Sequence, residues 1–482
     1  MKTLLKIVFL FLLHISFYLN ADAQKPITWQ KIFGLDSLVL GKCGIQTSDG
    51  GYAILGSWDP ISAYPHWTRV LKLDKFGNLV WTRNYRVATY YSMIEDSDSG
   101  FVLIGYGGIG NGAALFKINS NGDSILYKTY GGLSIIDFRK IKKYYDGGFI
   151  LTGRDRNGLG YIERLDSNYN SIWANTYSSI NYESLYTRDI AFDKNNNIAI
   201  SLIGYISQIS DGGLLKLTPD GNQYLMKFDV TPLVSDNYNG ILPINGKYAV
   251  SGGADFPSDS VSSIYCLLDT NGNLILRKYY YHSASYYSRF PFLTYASGNY
   301  FVLGGYSYEI KGHRKMGLRK IDYSGNIIWT RVINDALSIS TPANINWTLD
   351  NGYLLTGNYE NVPADAYCIY VIKTDSNAFA EPVGISNQFV QTPNKFILHS
   401  VFPNPFNGSS KIRYEIMQYD NYKMEIFNVN GKSIALVFDE KLNPGIYEKS
   451  LGSYFTDLSS SIYFISLEND KQVLTRKLLF LK

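Results

Sequence analysis

The sequence predicts an all-β protein: a seven-bladed β-propeller of four-stranded blades, closed by an N-terminal strand, followed by a small Ig-like β-sandwich. Three observations support this fold class. A unit of roughly fifty residues recurs seven times. Each unit contains hairpin turns between short apolar runs, and the last part of the chain has strand-like alternation of its own. Composition agrees, because 41 tyrosines and a hydrophobic fraction of 45% favour strands and can fill sizeable cores.

Residues 1–23 have the pattern of a secretory signal. Lys2 and Lys6 supply positive charge, residues 7–13 are an unbroken apolar run, and Ala21-Asp22-Ala23 fits a cleavage site with small residues at Ala21 and Ala23. Cleavage there would leave a mature chain that begins at Gln24. The alternative is an N-terminal membrane anchor, which the short apolar run disfavours because it cannot span a bilayer.

The clearest element of each repeat is a polar turn followed by an aromatic or apolar residue, a short apolar run and, in most copies, a glycine. Asp49-Gly50-Gly51-Tyr52 opens the first copy. The residues that follow the seven turns, used here as markers, are Tyr52, Phe101, Phe149, Ile198, Tyr248, Tyr300 and Tyr353. Their spacings are 49, 48, 49, 50, 52 and 53 residues, and periods of this size indicate propellers or solenoids. The turns resemble the Asp-Gly-Gly-Tyr propeller repeats of secreted bacterial proteins.

The second half of each unit predicts another hairpin, as in residues 71–81, where a Gly-Asn pair separates two apolar runs. Each unit therefore has four strands, which is the composition of a propeller blade. The seventh unit lacks its fourth strand, and Trp29 and Phe33 repeat the spacing of Trp81 and Tyr85. We expect the N-terminal strand to complete the last blade, so that no edge stays unpaired at the seam. An open solenoid is the alternative.

Charge and cysteine content exclude some classes of partner. The formal net charge of +4 is spread without a run of Lys or Arg, so nucleic acid is not an expected partner. Cys43, Cys266 and Cys368 are too few for a disulfide framework, and we expect buried free thiols, with a Cys43–Cys368 bridge as the alternative. We expect a monomer without a cofactor.

One face of the predicted disc carries the short turns, and the opposite face carries the loops that vary in length. Aromatic side chains on such loops offer contact area at low entropic cost, and arginine can orient polar ligands, so this face suits a glycan or a protein. The candidate ligand-binding residues are Trp58, Tyr64, His66, Trp67, His282, Tyr286, Tyr287, Arg289, Tyr308, His313 and Arg314. Alternatively, these loops only pack over one another and cap the disc.

The sequence shows no catalytic motif, and we name no catalytic residue. His66, His282 and His313 could form a metal site only by converging from three blades without short ligand spacing, so no metal is expected. Residues 96–100 and 193–197 resemble fragments of calcium loops, but Asp, Asn and Gly are also ordinary turn formers.

The competing prediction is a secreted propeller enzyme acting on polysaccharide, a glycosidase or a lyase. It would use carboxylates of the loops, of which the candidates are Asp59, Asp255, Asp259, Glu309 and Asp365.

A polar, proline-containing connector over residues 379–395 separates the predicted propeller, residues 24–378, from a tail over residues 396–482. The tail resembles the C-terminal sorting domain of the type IX (Por) secretion system of Gram-negative bacteria. The resemblance rests on a Pro-Asn-Pro-Phe motif, a Gly-Lys turn and a basic C-terminal strand. The matching residues are Pro403, Asn404, Pro405, Phe406, Gly431 and Lys477.

The resemblance implies passage through the periplasm and recognition by the type IX machinery, then removal of the tail by a surface protease. The mature part would be secreted or held at the outer-membrane surface. An accessory adhesive sandwich is the alternative. We expect strands at 411–416, 423–429, 462–467 and 473–481 and an extended Pro403–Pro405 segment, because proline restricts its own φ and its predecessor. Ser461 stands where the family has glycine, which would weaken one turn.

Overall fold

The chain divides into two compact units, Met1–Ser386 and Asn387–Lys482. In the computed structural model, the residues that can be described are 26–34, 39–58, 67–85, 89–107, 112–207, 209–232, 234–256, 261–280, 288–310, 313–333, 339–361, 366–381, 396–399, 401–416, 419–443, 445–469 and 472–482. None of the helices in these stretches is both long and apolar enough to span a bilayer.

The first unit contains seven antiparallel four-stranded sheets in its described residues, which we name blades 1 to 7. Blade 1 consists of β2 (Val39–Gln46), β3 (Tyr52–Trp58), β4 (Trp67–Leu73) and β5 (Leu79–Tyr85). Blade 2 consists of β6 (Thr89–Glu95), β7 (Phe101–Tyr106), β8 (Ala113–Ile118) and β9 (Ser124–Tyr130). Blade 3 consists of β10 (Ile135–Lys143), β11 (Phe149–Asp155), β12 (Gly160–Leu165) and β13 (Ser171–Tyr177). A short 3₁₀ turn at Gly132–Ser134 precedes β10.

Blades 4 to 6 follow the same order. Blade 4 consists of β14 (Ser184–Phe192), β15 (Ile198–Ile206), β16 (Ile209–Leu217) and β17 (Gln223–Asp229). Blade 5 consists of β18 (Ser235–Ile244), β19 (Lys247–Asp255), β20 (Val261–Leu268) and β21 (Leu274–Tyr280). Blade 6 consists of β22 (Ser288–Ala296), β23 (Tyr300–Ile310), β24 (His313–Asp322) and β25 (Ile327–Val332). Blade 7 consists of β26 (Ile339–Trp347), β27 (Tyr353–Asn361), β28 (Ala366–Thr374) and β1 (Trp29–Phe33).

The N-terminal strand closes the last blade, as the sequence predicts. β1 pairs antiparallel with β28, in a register that places Trp29 opposite Lys373 and Phe33 opposite Ile369. The first strand of each blade also contacts the first strand of the next, and β26 contacts β2. Seven first strands therefore form a closed ring around the axis, and the predicted seven-bladed fold is confirmed.

The repeat markers coincide with strand starts. Six of the seven markers begin the second strand of their blade, and in blade 5 that strand begins one residue earlier, at Lys247. We call the side of the disc with the hairpins between strands 1 and 2 and strands 3 and 4 the turn face. The other side, with the connections between strands 2 and 3 and between blades, is the loop face.

In blades 1, 2, 3, 5 and 7, a tryptophan or a tyrosine of the outermost strand joins the blade to the next one. Trp81 Nε1 in blade 1 donates to the Ser120 carbonyl in the last hairpin turn of blade 2, at 3.0 Å. The Tyr85 hydroxyl donates to the Gly122 carbonyl of the same turn, at 2.6 Å. Equivalent pairs, with their distances, are Trp29 to Lys75 at 3.2 Å, Trp173 to Pro219 at 2.9 Å, Tyr177 to Gly221 at 2.7 Å and Tyr280 to Gly325 at 2.8 Å. Trp29 thus joins blade 7 to blade 1 just as Trp81 joins blade 1 to blade 2.

The turn glycine is needed both for its backbone and for its lack of a side chain. Gly77 has φ +77°, and a Cβ built on it would lie 2.6 Å from the ring of Trp29. In blade 3 the corresponding turn residue is Tyr169, also at positive φ. There the preceding blade has Leu126 in place of tryptophan, so no indole covers the turn.

The Asp-Gly-Gly turns are fixed within their own blade by a basic residue of the third strand. Lys72 Nζ lies 2.8 Å from the Asp49 carboxylate, and Lys373 lies 2.8 Å from Asp350. Burial acts to raise the pKa of Asp49, but bonds from Lys72, Thr47 and the Gly51 N–H outweigh it and lower that pKa to about 2.

The residues 96–100 that resemble a calcium loop follow the same rule. Lys117 Nζ lies 2.8 Å from Asp96 and 2.7 Å from Asp98. In residues 193–197, the Asp193 carboxylate accepts from the backbone N–H groups of Asn195 and Asn197. These carboxylates are used by the turns themselves.

The cores lie between adjacent blades. Leu55 and Val70 of blade 1 pack with Tyr90, Phe101 and Phe116 of blade 2, all of them buried. The three cysteines are buried and free, so the expectation of free thiols is confirmed and the Cys43–Cys368 bridge is not formed.

The second unit has two sheets around one core, in agreement with the predicted small sandwich. One sheet consists of β29 (Phe396–Leu398), β30 (Lys411–Ile416) and β33 (Gly445–Ser450), and the other of β32 (Ser433–Leu442), β31 (Asp420–Asn428), β34 (Ser461–Asn469) and β35 (Gln472–Phe480). A 3₁₀ turn spans Gly452–Tyr454. The sequence predicted β30, β31, β34 and β35 but not the other three strands. Ser461 is the first residue of β34, opposite Phe480, and is not part of a turn.

The expectation of an extended Pro403–Pro405 segment is wrong. Both peptide bonds that precede these prolines are cis, and the chain bends between isolated bridges at Phe402 and Phe406. The bend turns the Asn404 amide toward the last strand, where its Oδ1 accepts from Leu479 N at 2.8 Å and its Nδ2 donates to Lys477 O at 3.0 Å. Asn404 thereby supplies the bonds that a neighbouring strand would supply to β35.

The other motif residues of this unit also have structural roles. Phe406 is buried, with its ring 5.0 Å from that of Phe455 and 5.3 Å from that of Phe480. Gly431 has φ +73° and closes the turn in which its N–H donates to the Asn428 carbonyl.

We expect Trp29→Ala to lower the free energy of unfolding by about 3–5 kcal/mol, because Trp29 is 6% exposed and joins the two ends of the ring. Equilibrium urea unfolding measures this loss. Trp347→Ala is the matched control, since Trp347 is 43% exposed, and should cost less than about 1 kcal/mol. Equal losses for the two variants would contradict a closing role for Trp29.

Tyr177→Phe removes only the hydroxyl that bonds blade 3 to the Gly221 carbonyl of blade 4. We expect a loss of about 1–2 kcal/mol, since a buried carbonyl loses its donor. Tyr224→Phe, on the exposed rim, should change stability by less than about 0.5 kcal/mol. Thermal unfolding of both variants compares the two, and an unchanged Tyr177→Phe would show that this hydrogen bond adds nothing.

Candidate functional site

Five of the eleven predicted binding residues lie outside the described part of the chain. These five are Tyr64, His66, His282, Tyr286 and Tyr287, so two of the three histidines considered for a metal site lie outside the described residues. The backbone alone is described for Trp58, Tyr308 and His313. Trp58 is the strand partner of Trp67, and Tyr308 that of Arg314, at the loop-face ends of blades 1 and 6.

The remaining three predicted residues are described in full. Trp67 is partly exposed at the start of β4. Arg289 of β22 forms an ion pair with Asp255 of β19, so its charge is compensated within the protein. Arg314 is exposed, with its guanidinium 5.5 Å from the centre of the Tyr306 ring.

A second set of residues, which sequence reasoning missed, lies on the innermost strands. The register between first and second strands shifts in every blade, between Gly41 and Cys43, Tyr90 and Ser92, Phe138 and Lys140, Thr187 and Ile190, Tyr238 and Gly240, Arg289 and Phe292, and Pro342 and Asn344. Such β-bulges leave extra residues unpaired and re-aim their side chains. Lys42, Tyr91, Arg139 and Arg188 occupy these positions in blades 1 to 4.

The bulge residues of blades 2, 3 and 4 and the side chains next to them form what we call the arginine–tyrosine cluster. Its members are Tyr91, Asp137, Arg139, Arg154, Tyr186, Arg188 and Tyr205. The Arg139 guanidinium lies 4.3 Å from the centre of the Tyr91 ring. Arg154 and Arg188 lie 4.9 Å and 5.6 Å from the centre of the Tyr186 ring. All seven residues belong to the loop-face half of their strands.

Hydrogen bonds set the positions of these groups. Arg154 Nη1 donates to the Tyr186 hydroxyl at 2.7 Å, and the Tyr186 ring packs edge-on against Tyr205 with ring centres 5.0 Å apart. The Tyr205 side chain also hydrogen-bonds Arg188. Each arginine is therefore held by an aromatic neighbour, which keeps its guanidinium pre-oriented.

Carboxylates only partly compensate the positive charge. Asp137 pairs with Arg139 at 2.6 Å and lies 3.9 Å from Arg154. Among the described residues, no carboxylate lies within ion-pair distance of Arg188. Arg188 Nε is buried without a hydrogen-bond partner.

Closer to the turn face, the same inner strands hold two further cations. Lys140 and Lys142 of β10 share Asp189 of β14, at 3.7 Å and 3.3 Å. Five cationic groups thus face two carboxylates, Asp137 and Asp189, along the inner strands of blades 3 and 4.

Burial and neighbouring charges shift the pKa of three of these cationic groups. Burial lowers the pKa of Arg188, and the like charge of Arg139 acts in the same direction. Burial likewise lowers the pKa of Lys142, whereas the nearby Asp189 raises that of Lys140. Desolvated cations with too few counter-charges favour the arrival of an anion.

Blades 4 and 5 carry a contrasting, acidic group of residues. Asp236 of β18 accepts from Thr231 Oγ1 at 3.0 Å, while its other oxygen is buried without a partner. Burial raises the pKa of Asp236 to about 6, and Asp229 and Asp211 add to the rise. Since Asp236 is only 1% exposed, this carboxyl has no direct access to a substrate.

In the stretches that the structure describes, no group of three or more His, Cys, Asp or Glu side chains is arranged to hold a metal ion.

Comparison with known proteins identifies the tail. Residues 400–481 match the family of the secretion system C-terminal sorting domain. The chain carries the sorting signal of type IX secretion, and it is exported to the cell surface or the extracellular space. No curated protein matches the chain.

Two solved structures each match about three quarters of the chain. A crystal structure of BBS1N in complex with ARL6DN has a TM-score of 0.43 and 9% identity, covering 72% of this chain and 96% of that one. A crystal structure of the polysaccharide lyase Uly1 has a TM-score of 0.47 and 8% identity, covering 73% of this chain and 93% of that one.

Asp236→Asn should stabilise the protein at pH 7.5 by about 1–3 kcal/mol, because the native carboxyl is held ionised there at a cost. Between pH 4 and 6 the native state binds this proton more tightly than the unfolded state does. The contribution of Asp236 to stability is therefore lost as pH rises through about 6, and the advantage of the variant should vanish near pH 4.5.

Urea unfolding at both pH values measures this difference. Asp220→Asn, at an exposed turn position, is the control and should be neutral at both. A stabilisation by Asp236→Asn that did not depend on pH would contradict the assignment.

Proposed function

We propose that the propeller is a binding module for a glycan or protein ligand, displayed at the cell surface or released, and that the ligand binds on the loop face. The observation that carries this proposal is the arginine–tyrosine cluster. Its arginine and tyrosine side chains are partly exposed and held by one another, and they come from three blades near the centre of the disc. Arginine and tyrosine are the residue types that contribute most at binding interfaces.

The arrangement suits binding more directly than it suits chemistry. Guanidinium groups and phenol hydroxyls supply directional hydrogen bonds, and pre-orientation reduces the entropy lost when a ligand is held. The carboxylate of Asp255, a candidate for the competing enzyme prediction, is occupied by Arg289.

Delivery is separate from binding in this proposal. The sorting domain would direct the chain through the periplasm and the outer membrane of a Gram-negative bacterium. There a surface protease would remove the tail, leaving the propeller attached or free. The ligand is then a molecule outside the cell, and the propeller acts as a monomer.

The test follows retention of the full-length chain on immobilised polysaccharides and on cell-surface extracts, together with the release of reducing ends. We expect retention without release. Trp67→Ala, on the loop face, should weaken retention by about fivefold or more, as for the loss of an aromatic contact.

Trp347→Ala is the control, because Trp347 is an exposed tryptophan beside the turn-face hairpin of blade 7, and its retention should be unchanged. Release of reducing ends would replace the proposal with a polysaccharide-degrading enzyme. Retention that depends on Trp347 and not on Trp67 would move the ligand to the turn face.

A further inference from the structure

Among the described residues near the centre of the disc, the cationic side chains outnumber the carboxylates that pair with them. Arg139 and Arg154 share the single carboxylate of Asp137, and Lys140 and Lys142 share that of Asp189. Arg188, next to Asp189 in β14, is held by the aromatic side chains of Tyr186 and Tyr205. A buried cation is costly unless an anion accompanies it, and within the described part of the chain these five cationic side chains share two carboxylates.

Accessibility favours a ligand group over an internal counter-ion. The side chains of Arg139 and Arg154 are 32% and 27% exposed, so solvent reaches both guanidinium groups. The Tyr186 hydroxyl accepts a bond from Arg154 and keeps its own proton to donate. The cluster therefore offers the N–H donors of its arginines beside a tyrosine hydroxyl that can also donate.

We propose that the arginine–tyrosine cluster binds an anionic group, a carboxylate or a sulfate, carried by an acidic polysaccharide. The proposal rests on the binding function given above and specifies its ligand. Arginine pairs with such groups through two parallel hydrogen bonds. Arg188 can do so because its Nε has no hydrogen-bond partner within the described part of the protein. The tyrosine hydroxyls would bond to sugar hydroxyls next to the charged group.

A polysaccharide fits this site better than an acidic protein does. The accessible groups are polar and set back among the innermost strands, whereas a protein partner needs a broad interface with an apolar centre. A sugar chain can place one charged ring in a recess while the rest of the chain crosses the loop face.

The experiment compares polymers that differ only in charge, using the full-length chain. Dextran sulfate is matched with dextran, and polygalacturonate with its methyl ester. We expect at least one charged polymer to bind about tenfold or more tightly than its neutral match, with affinity falling as NaCl rises. Whichever charged polymer binds distinguishes sulfate from carboxylate.

Variants then locate the charge. Arg188→Gln should weaken binding of the charged polymer by about tenfold or more, and so reduce its advantage over the neutral polymer. Arg188→Lys, which keeps the charge and loses the paired donors, should show an intermediate loss, and it serves as the second variant if Arg188→Gln unfolds. Arg83→Gln, on the exposed rim, removes the same charge elsewhere and should have no effect.

Three outcomes would overturn the proposal, and they are distinguishable. Equal binding of charged and neutral polymers, insensitive to Arg188→Gln, would leave a glycan-binding propeller without an anion site. Competition by poly-glutamate at equal affinity would make the ligand an acidic protein. No retention of any polysaccharide or cell-surface component would remove the binding function together with its ligand.

Discussion

Hydrogen bonds from an outermost strand to the last hairpin turn of the next blade, which blades 1, 2, 3, 5 and 7 form, are the interaction on which the rest of the propeller depends. A tryptophan indole and a tyrosine hydroxyl reach across the gap between blades and occupy two carbonyls of one turn, as Trp81 and Tyr85 do. The turn can present those carbonyls because Asn119 Oδ1 accepts from the backbone N–H groups of Asn121 and Asp123 within it. One sequence motif therefore shapes its own blade and fixes the position of the next.

The inner edges of the blades are satisfied by a different device. An innermost strand has backbone groups without a strand partner, and such edges invite unwanted pairing. Here side chains of a neighbouring blade hydrogen-bond to these backbone groups. Asn344 accepts from the Gly44 N–H, and Asn346 donates to the Gly44 carbonyl. Lys142 donates to the Ile190 carbonyl, and Asp189 accepts from the Ile241 N–H. The polar lining of the axis thus has a structural use for some members, whereas Arg188 has capacity to spare.

The sequence predicted the architecture well because the repeat recurs with a regular period and because turn chemistry is local. The same reasoning failed for Pro403–Pro405, where bonds from Asn404 to a strand more than seventy residues away decide the conformation. It also missed the arginine–tyrosine cluster. Lys42, Tyr91, Arg139 and Arg188 each stand ten residues before the marker of their repeat, so alignment of the repeats would have found the position. It could not have shown that a bulge turns these side chains out of the pairing between strands.

Closure by β1 also constrains how the propeller can fold. Gln30 bonds Tyr370 across 340 residues of sequence, so the pairing that completes the ring is among the least local in the unit. Loop-closure entropy makes such contacts late, and a chain that emerges from its N-terminus must leave β1 unpaired until β28 has followed. Ring closure is therefore an event of the whole chain. During export, an incomplete chain would expose the edge of β28 and the unpaired β1, and folding after the last blade has emerged avoids that intermediate.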